Sequence, residues 1–379
     1  MKVVVAVDSL KGSLTSMEAG NAVREGIRRV NPEAQVVVKP LADGGEGTTE
    51  AFIEGLSAER VTLIVTGPES RAVKAVYGWI KETKTAVMEI AAAAGITLLR
   101  KEEKQPFAAT TRGVGEMILD AATRGCRTFI IGIGGSATND GGIGMLKALG
   151  YKFTNETGED AGEGSQALSR VSRISDKNVS PLLSGCSFLV ACDVTNPLCG
   201  QNGATYVYGP QKGIEVDELE QTDKAMASFA GITARQFGQD LQNEEGAGAA
   251  GGLGFAFISY LNAGLVPGVE LVLDTLGLEK ELCDADIFVT GEGRLDHQSA
   301  MGKAPVGAAR LAKKHGVPVL AFAGGVTKGA SACNEAGIDA FFPIVRGVTT
   351  LREAMESKTA AENMSDSVEQ AFRLIQAIR

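Results

Sequence analysis

A glycine-rich loop near the start of the chain carries two carboxylates, which phosphate-binding loops do not usually have. The loop is LADGGEGTT, residues 41–49, and it lies between an apolar strand pattern and a helix start. Gly44 and Gly45 would let the backbone approach a ligand. Asp43 and Glu46 could bind Mg²⁺, often through water, or accept a proton from a substrate hydroxyl. Alternatively, Asp43 caps the next helix and Glu46 complements the dipole of its first turn.

A later loop, TGEGRLDHQSAMGKAP at residues 290–305, repeats the order of strand, Gly-Glu-Gly and polar residues before a helix. Its candidate binding side chains are Glu292, Arg294, Asp296, Gln298, Ser299 and Lys303. Gly302 and Lys303 do not complete a Gly-x-x-x-x-Gly-Lys phosphate loop, because His stands at position 297. The alternative is a solvated loop.

The first strand pattern is followed by DSLKGSLTS, residues 8–16. Lys11 could reach a phosphate or a carboxylate from this loop, and the N-terminus of the next helix would add donors. Thr15 and Glu18 have the spacing of a capping box, which predicts that the helix begins there. The alternative is that Asp8 and Lys11 belong to a solvated turn.

A third glycine-rich loop is IGIGGSATNDGGIG, residues 131–144. The spacing Gly132-x-Gly134-x-x-Ala137 resembles a dinucleotide fingerprint, but that fingerprint runs directly into an apolar helix. Polar residues fill this turn instead: Ser136, Thr138, Asn139 and Asp140. The loop is better explained as a cradle for a phosphate or a hydroxy acid, and the alternative is a loop closed by its own hydrogen bonds.

Two further segments and the scarcity of histidine limit the chemistry. Asp193 ends a strand pattern in CDVTNPLCG and could bind a metal or substrate, or simply cap a turn. GAGAAGGLG, residues 246–254, could pack closely on a ligand or on another helix. Only His297 and His315 are present, so a Ser-His-Asp triad and a histidine-rich metal site are both disfavoured. Carboxylates, lysine, backbone amides and Mg²⁺ suit phosphoryl transfer.

The elements that position these loops follow a β/α rhythm at both ends of the chain. A strand, a helix and a second strand within the first 40 residues predict a parallel sheet. The middle of the chain has short gaps between strands, which predict antiparallel hairpins. Predicted strands are 3–7, 36–38, 61–65, 72–80, 85–91, 286–290, 317–323 and 339–344. We therefore expect a parallel-sheet domain from residues 1–60 plus 279–379, with a second, mixed α/β domain of residues 61–278 inserted.

The overall composition is that of a globular protein of 379 residues, with 44% apolar and 22% charged residues. A net charge of −9 makes a nucleic-acid surface improbable. The six cysteines form no C-x-x-C pair and are expected to be buried free thiols, which favours a reducing cytoplasm. The sequence predicts no signal peptide and no membrane span.

Six motifs in this order make the chain similar to the bacterial type I glycerate kinase family. They are DSLKGSLTS, PLADGGEGT, GGSATNDGG, CDVTNPL, GAGAAGGLG and TGEGRLDHQS…GKAP, and the resemblance covers essentially the whole chain. It implies a flavodoxin- or Rossmann-like domain with a second α/β domain inserted, and a site in the cleft between them. One departure is Arg112, where family members often carry an aromatic residue; this puts any role of that ring in doubt.

The resemblance implies ATP-dependent phosphorylation of D-glycerate with Mg²⁺, to the 2-phosphate or the 3-phosphate. Lys11 and Arg294 would neutralise the charge of the substrate carboxylate or phosphate. Asp43, Asp193 or Asp296 would supply the base and the metal contacts, with Asp193 and Asp296 as metal ligands. The remaining predicted binding residues are Gly44, Gly45, Glu46, Ser136, Thr138, Asn139, Asp140, Glu292, Ser299 and Lys303.

Two alternatives come from other classes of protein. One is an NAD-dependent hydroxy-acid dehydrogenase that uses Gly132–Ala137, and the other is a non-catalytic sensor that closes on a small acid. In all three cases the partners are small molecules, and neither a nucleic acid nor a membrane is expected. The sequence indicates neither the hydroxyl that is phosphorylated nor the oligomeric state.

Overall fold

The computed structural model describes residues 1–45, 47–100 and 105–378. Its strands are β1 (Lys2–Val7), β2 (Gln35–Pro40), β3 (Glu59–Thr66), β4 (Ala72–Ile80), β5 (Thr85–Glu89), β6 (Thr128–Gly132), β7 (Lys152–Thr154), β8 (Arg173–Ser175), β9 (Ser187–Ala191), β10 (Gly264–Val266), β11 (Ile287–Leu295), β12 (Val319–Val326) and β13 (Ala340–Pro343). Its helices are α1 (Ser16–Val30), α2 (Thr48–Gly55), α3 (Ala91–Ala94), α4 (Arg112–Thr123), α5 (Ile143–Ala148), α6 (Ser165–Leu168), α7 (Ala204–Lys212), α8 (Leu219–Phe237), α9 (Ala249–Leu261), α10 (Gly268–Thr275), α11 (Leu278–Leu282), α12 (His297–Ala300), α13 (Ala304–Lys314), α14 (Ala332–Glu335), α15 (Leu351–Ala354) and α16 (Ser357–Ile378).

The chain divides into two compact units. The first unit comprises residues 1–43, 50–57 and 269–379, and the second comprises residues 44–49 and 58–268. The predicted domain division, 1–60 plus 279–379 and 61–278, remains a prediction.

The first unit is built on a five-stranded parallel sheet in the order β2-β1-β11-β12-β13. Counted within this sheet alone, the order is 2-1-3-4-5, the doubly wound arrangement of flavodoxin-like proteins. Both faces of β1 are buried: Val3, Val5 and Val7 join one apolar cluster, and Val4 and Ala6 join another. This alternation follows from the pleat of a strand covered by helices on both faces. The predicted parallel α/β architecture is confirmed.

Helix α1 covers one face of this sheet and begins where the capping box predicts. Thr15 Oγ1 accepts the Glu18 N–H at 3.2 Å, and the Glu18 carboxylate accepts the Thr15 N–H at 2.8 Å. Ala19, Val23 and Ile27 line its buried side and pack with residues of α16. The first helix thus fixes the loop between Val7 and Ser16.

The second unit contains a mixed sheet in the order β10-β9-β6-β5-β4-β3. Strands β3, β4 and β5 are antiparallel neighbours, as their short connections predicted, and β5, β6, β9 and β10 run parallel. Strands β7 and β8 form a separate antiparallel pair. Loops that follow the parallel strands therefore leave the sheet at one edge. In the described part of the chain, no helix is long and apolar enough to cross a membrane.

Candidate active site

In the first unit, acidic side chains collect at the point where the strand order of the sheet reverses. In 2-1-3-4-5 sheets, ligands bind outside the carboxyl ends of the strands at the switch point, here between β1 and β11. Asp8 directly follows β1, and its N–H donates to Gly291 O of β11 at 2.8 Å. Glu292 lies on β11 itself. Two carboxylates thus occupy the position where this fold binds its ligands.

Burial and neighbouring charges perturb both of these carboxylates. Burial, followed by the charge of Asp43, raises the pKa of Asp8 to about 7, although the Ser9 N–H and the Lys11 charge act in the opposite direction. Burial also raises the pKa of Glu292, against the Ser299 hydroxyl and Lys303. Asp8 is therefore poised to exchange a proton near neutral pH.

Glu292 has an unusual hydrogen-bonding state. The residue is only 8% exposed, and Oε1 is buried with no hydrogen-bond partner among the described residues. A buried carboxylate oxygen without a donor costs free energy, which a ligand donor would recover. The structure also brings the predicted residues Asp43, Glu292 and Lys11 close to Asp8, to which the sequence assigned no role of its own.

Asp296 serves first as a helix cap. Its Oδ1 accepts the N–H groups of Gln298 and Ser299 at 2.9 and 3.2 Å, which begins α12. Burial alone would raise the pKa of Asp296, but the Ser299 N–H and Lys303 hold it below its usual value. Oδ2 remains outside the cap, 4.0 Å from Arg294 Nε. The carboxylate is thus ionised and held in one orientation.

The cationic residues of this unit are more exposed. Lys11 is exposed, the Arg294 side chain is 70% exposed, and Lys303 is partly buried at the N-cap of α13. Ser299 is fully buried and donates weakly to Arg294 O at 3.5 Å, so it shapes the loop. Exposed cations at a strand-end loop are suited to meeting an anionic ligand from solvent.

In the second unit, the predicted polar loop leaves β6 and is almost completely buried. Ser136 is 8% exposed, and Thr138, Asn139 and Asp140 are at most 1% exposed. Thr138 Oγ1 and Asn139 Oδ1 have no hydrogen-bond partner among the described residues. The loop therefore presents polar atoms that its own hydrogen bonds do not satisfy, which favours the cradle over the self-closed loop.

Asp140 holds this loop together from inside. Its carboxylate accepts the Thr111 N–H and hydroxyl at 2.9 and 2.8 Å, and the Gly142 and Gly144 N–H groups at 3.0 and 3.3 Å. Burial raises the pKa of Asp140 even against these donors. Because its oxygens accept from these protein donors, Asp140 positions the loop, and the binding role predicted for it stays a prediction.

Lys212 was not predicted and lies behind the same loop. It ends α7, is 2% exposed, and donates from Nζ to Ser136 Oγ at 2.8 Å and to Thr138 O at 2.6 Å. Burial lowers the pKa of Lys212 to about 7, with Asp140 acting in the opposite direction. The surrounding sequence, YGPQKGI, carries no binding motif, so only tertiary burial identifies this lysine.

Asp193 and the first glycine loop also belong to this edge of the second unit. Asp193 follows β9 and accepts the Gly268 N–H at 2.8 Å through Oδ1. Gly44 is so close to Gly268 and Ala191 that an added Cβ would lie 2.7 and 2.9 Å from them. Gly44 thus lets the backbone approach the end of β9, and the ligand contact predicted for Gly44 and Gly45 stays a prediction. Glu46 lies outside the described residues.

Two motifs have structural explanations. GAGAAGGLG packs against the polar loop: Gly141 N donates to Gly251 O at 3.0 Å, and Gly251 and Gly252 have left-handed φ angles of 70° and 90°. Arg112, at the start of α4, binds Glu163, with Nε 2.8 Å from Oε1. Arg112 thus forms an ion pair that ties the start of α4 to the segment before α6.

Mg²⁺ usually keeps several waters and binds one or two carboxylates together with substrate phosphates. Within the described residues, no group of three or more His, Cys, Asp and Glu side chains is arranged to hold a metal ion. Asp296 nevertheless offers an ionised carboxylate with Oδ2 outside the helix cap. These residues fit a metal that arrives with a nucleotide, and Asp193 and Asp296 remain the predicted ligands.

The fold is that of an α/β protein whose first unit carries a switch-point carboxylate pair and whose second unit carries a buried polar loop. Comparison with known proteins makes the class specific. The chain belongs to the glycerate kinase family, whose sequence profile matches residues 3–376. The family resemblance and the predicted class of enzyme are therefore confirmed.

Individual relatives are similar to this chain over most of its length. A glycerate kinase of Halalkalibacterium halodurans is 44% identical over 354 residues, covering 93% of each chain. A glycerate 2-kinase of Escherichia coli is 43% identical over 354 residues, again 93% of each chain. A crystal structure of glycerate kinase 2 from Salmonella typhimurium LT2 superposes with a TM-score of 0.92 at 40% identity, covering 100% of this chain and 98% of that one.

The dehydrogenase alternative does not fit the loop after β6. A dinucleotide fingerprint opens a helix directly, so that the helix N-terminus meets the pyrophosphate. Here the chain continues through Asp140 and Gly142, and α5 begins only at Ile143. The spacing Gly132-x-Gly134-x-x-Ala137 is therefore not a dinucleotide site, and the family match agrees with this conclusion.

Proposed function

We propose that the chain is an ATP-dependent glycerate kinase that converts D-glycerate to 2-phosphoglycerate with Mg²⁺. The observation that carries this proposal is the family match over residues 3–376. The Escherichia coli relative named glycerate 2-kinase supports the 2-phosphate as product. The six cysteines are all free thiols, which supports a reducing cytoplasmic location.

In the proposed reaction, Asp8 is the general base. The substrate hydroxyl oxygen bonds to the γ-phosphorus while the bond from that phosphorus to the bridging oxygen of ADP breaks, and Asp8 takes the hydroxyl proton. A carboxylate whose pKa is near 7 is matched to this task at neutral pH. Asp43 and Glu292 keep the proton affinity of Asp8 high.

The remaining residues of the first unit supply charge. Lys11, Arg294 and Lys303 neutralise the substrate carboxylate and the phosphates, because a phosphoryl-transfer enzyme works chiefly by positioning and charge stabilisation. Mg²⁺, held by Asp296 or Asp193 together with nucleotide oxygens, would neutralise phosphate charge when bound.

Backbone and loop groups of the second unit supply hydrogen bonds. Gly44 allows close backbone approach, and Gly45 is expected to do the same. The hydroxyls of Ser136 and Thr138 can donate to anionic oxygens, whereas Asn139 Oδ1 can only accept, from a substrate hydroxyl. Asp140 fixes the loop that carries them.

An ADP-release assay with D-glycerate tests the proposal, and ³¹P NMR identifies the product. A phosphate on O2 couples to the single C2 proton and gives a doublet, whereas a phosphate on O3 couples to two protons and gives a triplet. We expect ADP release that requires glycerate and a doublet. Absence of glycerate-dependent ADP release would reject the kinase assignment and favour the sensor alternative if glycerate still raises the unfolding temperature.

A further inference from the structure

Lys212 is a buried cation that the proposed reaction does not use. Its ammonium lies under the polar loop that joins β6 to α5, and its two hydrogen bonds go to Ser136 Oγ and Thr138 O. Both acceptors are neutral. The nearby carboxylate, Asp140, is already bound by Thr111, Gly142 and Gly144. A lysine buried to this extent is costly for the fold unless its charge is used.

The bond to Ser136 fixes the direction of the serine hydroxyl. An ammonium group only donates, so Ser136 Oγ must act as the acceptor toward Lys212. The hydroxyl proton of Ser136 is then left to donate to another oxygen. Beside it, the Thr138 hydroxyl is buried without a partner among the described residues and can likewise donate, whereas the unpartnered Asn139 Oδ1 is an acceptor and would meet a ligand hydroxyl.

Resting on the proposed kinase function, we propose that Lys212 is a positioning residue of an anion subsite. It orients the Ser136 hydroxyl to donate to an anionic oxygen and places a positive charge beneath the loop. The ligand oxygen belongs either to the carboxylate of glycerate or to a phosphate of ATP. A charge-assisted donor of this kind is stronger than a neutral one and selects for negatively charged ligands.

Protonation gives the subsite a distinctive pH dependence. The ammonium lowers the KM of the anion only while it is charged, and its pKa is lowered to about 7 by burial, with Asp140 as the charged group that opposes this. The KM of one substrate should therefore rise as the pH increases from 6 to 8. Over the same pH range, loss of the proton from Asp8 should raise kcat, whereas loss of the proton from Lys212 should raise KM. The effects of the two residues can therefore be separated.

The test compares Lys212→Met, which keeps the chain length without the charge, with Ser136→Ala. We expect each to raise the KM of the same substrate by about 10-fold or more, with a smaller change in kcat. The KM of the double variant should be no higher than that of the more impaired single variant, because both substitutions disable the same Lys212–Ser136 pair. In Lys212→Met the dependence of this KM on pH between 6 and 8 should disappear.

A matched control is Lys147→Met in α5. Lys147 is also mostly buried, but its Nζ pairs with Asp160 at 2.6 Å and donates to Gly162 O at 3.0 Å. These hydrogen bonds do not include Ser136. Its loss should lower the unfolding temperature and leave both KM values and their pH dependence unchanged.

The two substrates distinguish the source of the anion. A raised KM for glycerate alone assigns the carboxylate, and a raised KM for ATP alone assigns a phosphate. If both KM values stay native in Ser136→Ala, which tests the subsite even if Lys212→Met does not fold, the subsite proposal is overturned. Absence of glycerate-dependent ADP release by the unchanged enzyme would overturn the proposed function, and this inference with it.

Discussion

At the scale of single residues, the raised pKa of Asp8 affects the stability of the fold as well as the proposed chemistry. Burial and the charge of Asp43 raise its pKa in the folded protein to about 7. A carboxyl group with a raised folded-state pKa stabilises the fold fully below its unfolded pKa. That stability is lost as the pH rises through the folded pKa.

Asp8→Asn should therefore inactivate the enzyme and stabilise it above neutral pH. We expect kcat to fall by about 100-fold or more, since the base is lost. The free energy of unfolding at pH 8 should rise by up to about 4 kcal/mol, with little change at pH 3.5. Urea unfolding at both pH values and a kcat measurement test this. Asp176→Asn, on an exposed loop, is the control and should change neither quantity.

The wild-type pH profile offers an independent test of the same residue. The base must be ionised, so kcat should increase from pH 5.5 to 8 with an apparent pKa near 7. A kcat that is independent of pH over this range would exclude Asp8 as the base. A midpoint near 4 would instead favour an unperturbed carboxylate.

Most of these residues could be located from the sequence but not ranked. Asp43, Glu292 and Asp296 stand out because acids in strand-end loops are unusual. Asp8 received no role of its own, because the pairing of β1 with β11 lies beyond local sequence. Lys212 was invisible for the same reason, since its burial depends on contacts with Ser136 and Thr138.

At the scale of elements, the kink at the start of α9 supports the polar loop. Ala250, Gly251 and Gly252 all have left-handed backbone angles there. A Cβ on Gly251 would lie 2.0 Å from Thr138 O. The glycines are required both by the backbone conformation and by the close approach of the loop. The predicted packing role of GAGAAGGLG thus has a specific target.

Gly251→Ala should destabilise the protein much more than Gly238→Ala. The two glycines have φ angles of 70° and 75°, but an added Cβ at Gly238 meets nothing within 4 Å. We expect a loss of about 1–2 kcal/mol at Gly238 from the backbone angle alone, and more than about 4 kcal/mol at Gly251 from the added clash. Urea unfolding midpoints measure both, and equal losses would show that the loop moves aside without cost.

At the scale of the whole molecule, the two units differ in how local their pairings are. Lys2 and Asp286 bond across 284 residues at the β1–β11 edge of the first sheet. In the second unit, β3 pairs with β4 through a short turn, and β5 pairs with the nearby β6. The alternation of strands and helices was visible in the sequence, but the order 2-1-3-4-5 was not, because neighbour choice is decided by packing.

Refolding should consequently protect the second unit first. Closing a longer loop costs more entropy, and nonlocal pairing is slow. Pulsed hydrogen exchange with mass spectrometry should show protection of β5 and β6 before the β1–β11 ladder. Amides of Val3–Val5 that become protected as early as those of Thr85–Val87 would contradict this order. Because β1 also pairs with β2, protection at Val36–Val38 must be measured separately.

The β1–β11 pairing also has a consequence for synthesis on the ribosome. The chain emerges from its N-terminus at about 5–20 residues per second. Strand β1 is made first, but its neighbour β11 follows only after residue 287. For about 15–60 s, one edge of the Val-rich strand β1 therefore lacks the strand that pairs with it in the folded protein. Such an edge can pair with other chains, so the nascent protein should depend on chaperones that cover its first 40 residues.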